Sequence, residues 1–353
     1  MLKKLSKQKI SDIITYGIVL VAFIVMQILI NAGQISSLFE GLMVPLCTYI
    51  ILANSLNLVV GELGELSLGH AGFMCVGAFT SAFFSKCMQD TITNSIVRFL
   101  IALLIGIVVA AIFGLLIGIP VLRLNGDYLA IVTLAFGEII KNIVNVLFIG
   151  KDSKGFHFST KDVMALNMEP DGKVIVNGPQ GITGAPKDAT FFIGFILVLL
   201  TLFIVLNLIH SRDGRAIMAI RDNRIAAESI GINITKYKLM TFTISAAMAG
   251  AAGVLYGHNL SNLTANTNNF GYNMSINILV FVVLGGIGNI RGSIISAVVL
   301  TLLPELLRGL SDYRMLIYAI VLIVMMLFNW APKAIEWREK YLSFKKNKKE
   351  AVK

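Results

Sequence analysis

Runs of about twenty apolar residues recur along this chain, and they constrain what it can become more than any other feature. Ile13–Ile30 and the stretches 100–119 and 191–209 each carry at most one or two polar side chains. Each approaches the roughly 20-residue length that crosses a bilayer. Of 353 residues only 14% are charged and 56% are apolar, against the roughly 25% charge of a soluble domain. Too little polar surface remains to coat a water-exposed globule, which excludes a soluble enzyme and a disordered chain. The expected fold is all-α, a polytopic transmembrane helical bundle.

The net charge of +10 raises the question of nucleic acid, and the positions answer it. Of 30 Lys and Arg, 4 fall in the first nine residues, 6 in 210–238 and 8 from Lys333 onward. These clusters flank apolar segments, where the positive-inside bias places them. No aromatic-interleaved basic patch of the nucleic-acid-binding kind accompanies them. They read as cytoplasmic anchors facing anionic lipid. The apolar stretch behind the Lys-rich start is longer than a signal-peptide core and no A-x-A-like site follows, so it reads as an uncleaved first span. Cys47, Cys75 and Cys87 form no C-x-x-C, the four His form no H-E-x-x-H, and no Walker A loop occurs. A disulfide framework or metal site is not expected, and any ATP is expected on another chain.

Hydropathy places spans near 13–31, 42–60, 66–85, 96–119, 128–148, 190–209, 239–258, 275–290, 292–311 and 313–331. Splitting 275–303 at the run from Gly285 to Gly292 keeps all three basic clusters on one side, and a glycine-rich centre makes that break cheap. The piece before the break is short, as in a re-entrant or discontinuous helix. Ten spans leave both termini cytoplasmic: a tail at 1–12, a transmembrane domain at 13–331 and a basic tail at 332–353. Segments 32–41, 86–95, 149–189, 259–274 and 308–312 face out. The 149–189 loop holds five Lys and five acids, so it is neutral, unlike the inner loops. Gly61-Glu62-Leu63-Gly64 faintly echoes Gly285-Gly286-Ile287-Gly288, as in repeat-built transporters or by chance between glycine-rich sequences.

Segment 210–238 is the one long polar stretch between spans on the inner side. Ile217, Ile220, Ile225 and Ile230 recur among charged positions, and Arg221-Asp222-Asn223 supplies an N-cap for a short helix over 224–229. Gly231 and Asn233 suit its stop. Such a helix lies on lipid or offers a knob to a partner protein.

Ile225-Ala226-Ala227-Glu228-Ser229-Ile230-Gly231 resembles the A-A-x-x-x-G core of the loop that couples bacterial ABC importer permeases to their nucleotide-binding subunits. Ile225 departs from the acidic residue that opens that motif. Leu66-Ser67-Leu68-Gly69-His70-Ala71-Gly72-Phe73, the run from Arg123 to Leu134, Gly137-Glu138-Ile139-Ile140, Gly178-Pro179-Gln180-Gly181-Ile182-Thr183-Gly184, Leu284-Gly285-Gly286-Ile287-Gly288 and Leu303-Pro304-Glu305-Leu306-Leu307-Arg308 follow in order. Together they resemble the branched-chain amino acid permease family, LivM-type, over about residues 42–331. Residues 151–176 look like an insertion relative to that pattern. The resemblance implies a second similar permease, two ABC ATPase subunits that bind the ATP, an extracytoplasmic binding protein, a bacterial cytoplasmic membrane and no cofactor in this chain. It also implies that Arg221, Asp222, Ala226, Ala227, Glu228 and Gly231 meet the ATPase.

Within the spans, Glu138 and Lys141 sit three apart on one helical face. Two mid-span charges cost about 5–7 kcal/mol and the strongly apolar residues of 128–148 return roughly 4–7, so that face must meet other helices or water. Either the pair lines a pathway or it is a structural ion pair. His70 either shapes a gate or bonds a freed backbone group, and Gly285, Gly286 and Gly288 are further gate candidates. Asp127 is expected to cap a helix from Tyr128, Arg98 to snorkel outward, Glu305 to pair with Arg308, and the 114–118 and 246–253 clusters to pack helices closely. Cargoes left open are branched-chain amino acids, urea or short amides, and sugar. A stand-alone ion-coupled carrier would have no use for the 210–238 loop.

Overall fold

A computed structural model describes residues 7–33, 36–122, 124, 126–170, 172–307 and 313–330. Helix α1 (Lys7–Asn31) precedes α2 (Ser37–Asn57), which runs on as a π-helical turn over Leu58–Leu63. Then come α3 (His70–Cys87), α4 (Ser95–Val121) and α5 (Asp127–Val146). Strands β1 (Phe148–Asp152), β2 (Gly155–Ser159), β3 (Lys173–Asn177) and β4 (Ile182–Thr183) lead to α6 (Phe191–His210). Two polar helices, α7 (Arg212–Asp222) and α8 (Arg224–Ser229), precede α9 (Ile234–Gly257). After β5 (Asn262–Leu263) and α10 (Thr267–Phe270) come α11 (Tyr272–Gly285), α12 (Ile290–Leu306) and α13 (Arg314–Trp330).

Among the described residues a helix lies in each of the ten expected segments, and six helices are long and apolar enough to cross a membrane: α1, α2 with its π-turn, α4, α5, α6 and α9. With 14 residues, α11 rises only about 21 Å, less than a hydrocarbon core of roughly 30 Å. The basic tail at 332–353 and Arg308 lie outside the described residues.

The centre is built from α3, α4 and α9, with α2 packed along α9, α6 and α12. On α4 small residues recur along the buried face, and Gly106, Ala110, Gly114 and Gly118 meet α9, while Leu104, Leu116 and Ile119 are more than half exposed. A Cβ at Gly250 would overlap that of Ala110, one at Gly77 would overlap the Gly250 backbone, and one at Gly253 would overlap the Met74 carbonyl. Lipid offers no hydrophobic drive between helices, so backbone approach of this kind holds a bundle by dispersion. The expected close packing of 114–118 and 246–253 is therefore present.

The 149–189 segment departs from an all-α reading. The 151–176 insertion folds with its flanks as an antiparallel sheet of order β2-β1-β3, and β4 pairs β5 beyond it. Asp152 turns the first hairpin: its carboxylate accepts the N–H groups of Lys154 (2.8 Å), Gly155 (3.0 Å) and Glu169 (3.2 Å) and lies 2.8 Å from His157 Nε2. Removal from water works against ionisation, but these donors outweigh it and hold the Asp152 pKa at about 2, below the ordinary 3.8. Arg98 does not snorkel. It forms a bidentate pair with Asp188 (2.8 and 2.7 Å) at the base of this layer and donates to the Ile92 carbonyl, because a buried guanidinium needs every donor met.

Two outcomes are expected. Gly253→Leu destabilises the bundle by about 1–3 kcal/mol or more, the usual cost of overpacking, read as a lower melting temperature in detergent. The same change at Gly41, which has open space around it, leaves the melting temperature within a degree or two. Because ionised Asp152 is favoured by the fold, the sheet keeps its full stability above pH ~3.8 and loses the Asp152 contribution as pH falls towards ~2. Hydrogen exchange of the Lys154 and Gly155 amides reads this, and Asp152→Asn flattens that pH dependence.

Candidate functional site

The 20 residues of α6 separate the sheet from the polar loop by about 30 Å, so the two sit at opposite ends of the bundle. The loop holds two helices where the sequence predicts one. Ser211 caps α7 by accepting the Gly214 N–H (3.0 Å), and Asn223 caps α8 by accepting the Ala226 N–H (3.0 Å). At the end of α8 the N–H of Ile232 reaches the Ala227 carbonyl (3.1 Å) and that of Gly231 the Glu228 carbonyl (3.0 Å). With Gly231 at φ +86° this is a Schellman stop. Asn233 does not extend it but opens α9, accepting the Lys236 N–H (3.0 Å).

The six coupling candidates divide by orientation. Ala227 is buried with Ile220 and Ile234 and holds α8 against α9. Asp222, Ala226, Glu228 and Gly231 are exposed, with Ile225 and Ile230 beside them at 81% and 75% exposure. A bare isoleucine on the six-residue helix and another at its C-cap make this end of the loop an apolar knob, and Ile225 stands where the family motif has an acid. Arg221 turns the other way. Its Nη1 donates to the Gly61 carbonyl (2.9 Å) in the π-turn, 3.7 Å from Glu62. Lys238 of α9 pairs with Glu65 just after that turn. The loop is thus riveted to α2, over a cavity of about 370 Å³ lined by Glu65, Asp127, Arg221, Arg224 and Lys238 among others. Asp127 does not cap from outside; it is the first residue of α5, after Gly126.

The pathway candidates do not converge on one point. Glu138 and Lys141 pair at 2.5 Å, and Lys141 also reaches Thr267 Oγ1 (3.3 Å). Glu138 accepts the Tyr272 N–H (2.7 Å), the first amide of α11. The pair anchors the start of α11, which favours its structural reading. His70 Nε2 lies 2.8 Å from Ser245 Oγ, and Ser245 in turn donates to the Ser55 carbonyl (2.5 Å). Gly286 and Gly288, at φ +95° and +78°, form the break between α11 and α12, while Gly285 ends α11 so close to Gly292 that neither has room for a Cβ.

Sequence reasoning missed the polar pair that receives this break. Asn57 accepts the Gly288 N–H (2.9 Å) and donates to Ser293 Oγ (3.1 Å). The two glycine segments that echo each other in sequence thereby meet, since a Cβ at Gly61 would overlap Gly288. Asn54 and Asn57, three apart in an apolar run, were the available signal: intramembrane polar residues mark function or a freed backbone group.

The family model for the branched-chain amino acid transport system permease component matches residues 37–328. The high-affinity branched-chain amino acid transport system permease protein LivM of Salmonella typhimurium is 35% identical over 296 residues, 81% of this chain and 67% of the relative. The LivH permease protein of the same organism is 25% identical, covering 79% and 89%. The fructose import permease protein FruG of Bifidobacterium longum is 25% identical over 94% of both chains. No solved structure matches. The chain belongs to the branched-chain amino acid transport permease family.

Proposed function

We propose that this chain is a membrane-spanning permease subunit of an ATP-binding cassette importer for branched-chain amino acids, placed in a bacterial cytoplasmic membrane with loop 210–238 and both termini inside. The observation that carries the reading is the capped α8 knob, Ile225 and Ile230 outward, riveted through Arg221 to the transmembrane bundle. A lipid-surface helix needs no such rivet. An ATPase that closes on ATP pushes the knob, and the rivet passes displacement to α2. This chain performs no covalent chemistry; it binds the motor and converts its stroke into alternating access, while partner subunits hold the ATP.

Family membership supports a second permease beside this one and two ATPase subunits. At the opposite end, Phe158 of β2 and Met164 in the turn between β2 and β3 are 65% and 88% exposed, a surface suited to an extracytoplasmic binding protein. The LivM relatives favour Leu, Ile and Val as cargo. The FruG similarity supports sugar as the second reading, within the same class of importer.

Pull-down from membranes tests the class, with an ATPase pair and a second permease expected to co-purify and leucine uptake expected to require ATP. Ala227→Glu or Gly231→Glu is expected to abolish uptake while the protein stays in the membrane. The first expels α8 from its seat on Ile220 and Ile234, and the second puts a side chain where φ is +86° and charge where the knob docks. Uptake that survives both changes contradicts the coupling role.

A further inference from the structure

We propose that Asn57 is a positioning residue for transport: it locks the π-turn that receives the coupling loop to the glycine break between α11 and α12, so that one displacement moves both. The inference rests on the importer reading above.

Gly61 is the meeting point. Its carbonyl accepts Arg221 Nη1 at 2.9 Å, and the space beside its Cα is filled by Gly288, leaving no room for a Cβ. Asn57, one turn earlier and 1% exposed, holds the other side of the same contact through Gly288 N–H and Ser293 Oγ. Ser293 itself donates to the Asn289 carbonyl (3.2 Å), so both the break and the first turn of α12 hang on one amide side chain. A π-turn is a rare geometry that collects at functional sites, and glycine at positive φ makes the break easy to rotate. Glu138 fixes the far end of α11. The short α11 is therefore held at both ends, and the end at Asn57 connects to the loop through Gly61.

The bonded pair is the polar link that the α2–α12 interface makes at this level. One turn outward from the bonded pair, on the same faces of the two antiparallel helices, stand Asn54 and Ser296. They are buried at 0% and 1% exposure, and neither Asn54 Nδ2, Asn54 Oδ1 nor Ser296 Oγ has a hydrogen-bond partner among the described residues. Buried polar groups are nearly always satisfied. With Asn54 and Ser296 making no such bond, the hold of α2 on the start of α12 falls to Asn57 and Ser293.

The test uses the transporter assembled with its partner subunits in proteoliposomes. Asn57→Leu is expected to keep ATP hydrolysis within about twofold of wild type while leucine taken up per ATP falls more than tenfold. Ser293→Ala, which removes one of the two anchors, lowers that ratio two- to fivefold. Spin labels at exposed Ile230 and Ile287, each measured against one at Met164, report the displacement directly. On nucleotide trapping both distances change in wild type, and only the Ile230 distance changes in Asn57→Leu. A wild-type ratio in Asn57→Leu, or an Ile287 distance that still follows Ile230, overturns the proposal. If Asn57→Leu does not assemble, Ser293→Ala decides by the same two readings. Wild-type protein that hydrolyses ATP without taking up leucine overturns instead the importer reading on which the proposal stands.

Discussion

Inside a bilayer no water meets a freed backbone group, so every interruption of a helix must be satisfied by protein. This chain interrupts its helices repeatedly and answers each interruption with another element. The carbonyl of Gly61 in the π-turn is met by Arg221 from the loop. In the extended link before α3, the Leu68 N–H is met by Thr133 Oγ1 (3.0 Å). The second residue of α3, Ala71, gives its N–H to Ser275 Oγ of α11 (3.2 Å). The first amide of α11 is met by Glu138, and the break after α11 by Asn57. The interruptions form a polar network that ties α2, α3, α5, α11 and α12 together inside the shared apolar core.

Against that network stands a centre that leaves little room to move. Where α3, α4 and α9 cross, glycine and alanine bring backbones into contact, and dense packing transmits displacement rather than absorbing it. The fold therefore pairs a stiff trio with a jointed group around α11. Alternating access asks for such a division: one part carries the stroke and another opens. The buried Arg98–Asp188 pair ties the stiff trio to the link that leads from β4 into α6, and deleting either partner would leave an uncompensated charge costing about 3–5 kcal/mol.

Much of the bundle is legible in sequence, because twenty-residue apolar runs and glycine breaks are local signals. The start of α8 at Asn223 and its end at Gly231 are legible for the same reason, as caps are written in single residues. Three things are not. The sheet is hidden because β1 and β3 are five residues each, in a loop whose mixed charge reads as solvated. Arg98 was misread because its partner lies 90 positions away, and an isolated cation beside an apolar run looks like a snorkelling one. Asn57 was passed over because its partners, Gly288 and Ser293, are more than 230 positions distant. Long-range polar pairing leaves no periodicity, so the rivets of the site stay invisible where its knobs are plain.

The central claim is that the α7–α8 knob and the sheet face opposite sides of one membrane, joined by the riveted bundle. Single cysteines at Ile230 and Met164 test it against a low background, since Cys47 and Cys75 are buried and Cys87 is partly so. In intact cells treated with a membrane-impermeant maleimide, the account predicts labelling of Met164→Cys and of Ile230→Cys only after permeabilisation. Labelling of Ile230→Cys in intact cells, or of both positions from one side, would contradict it.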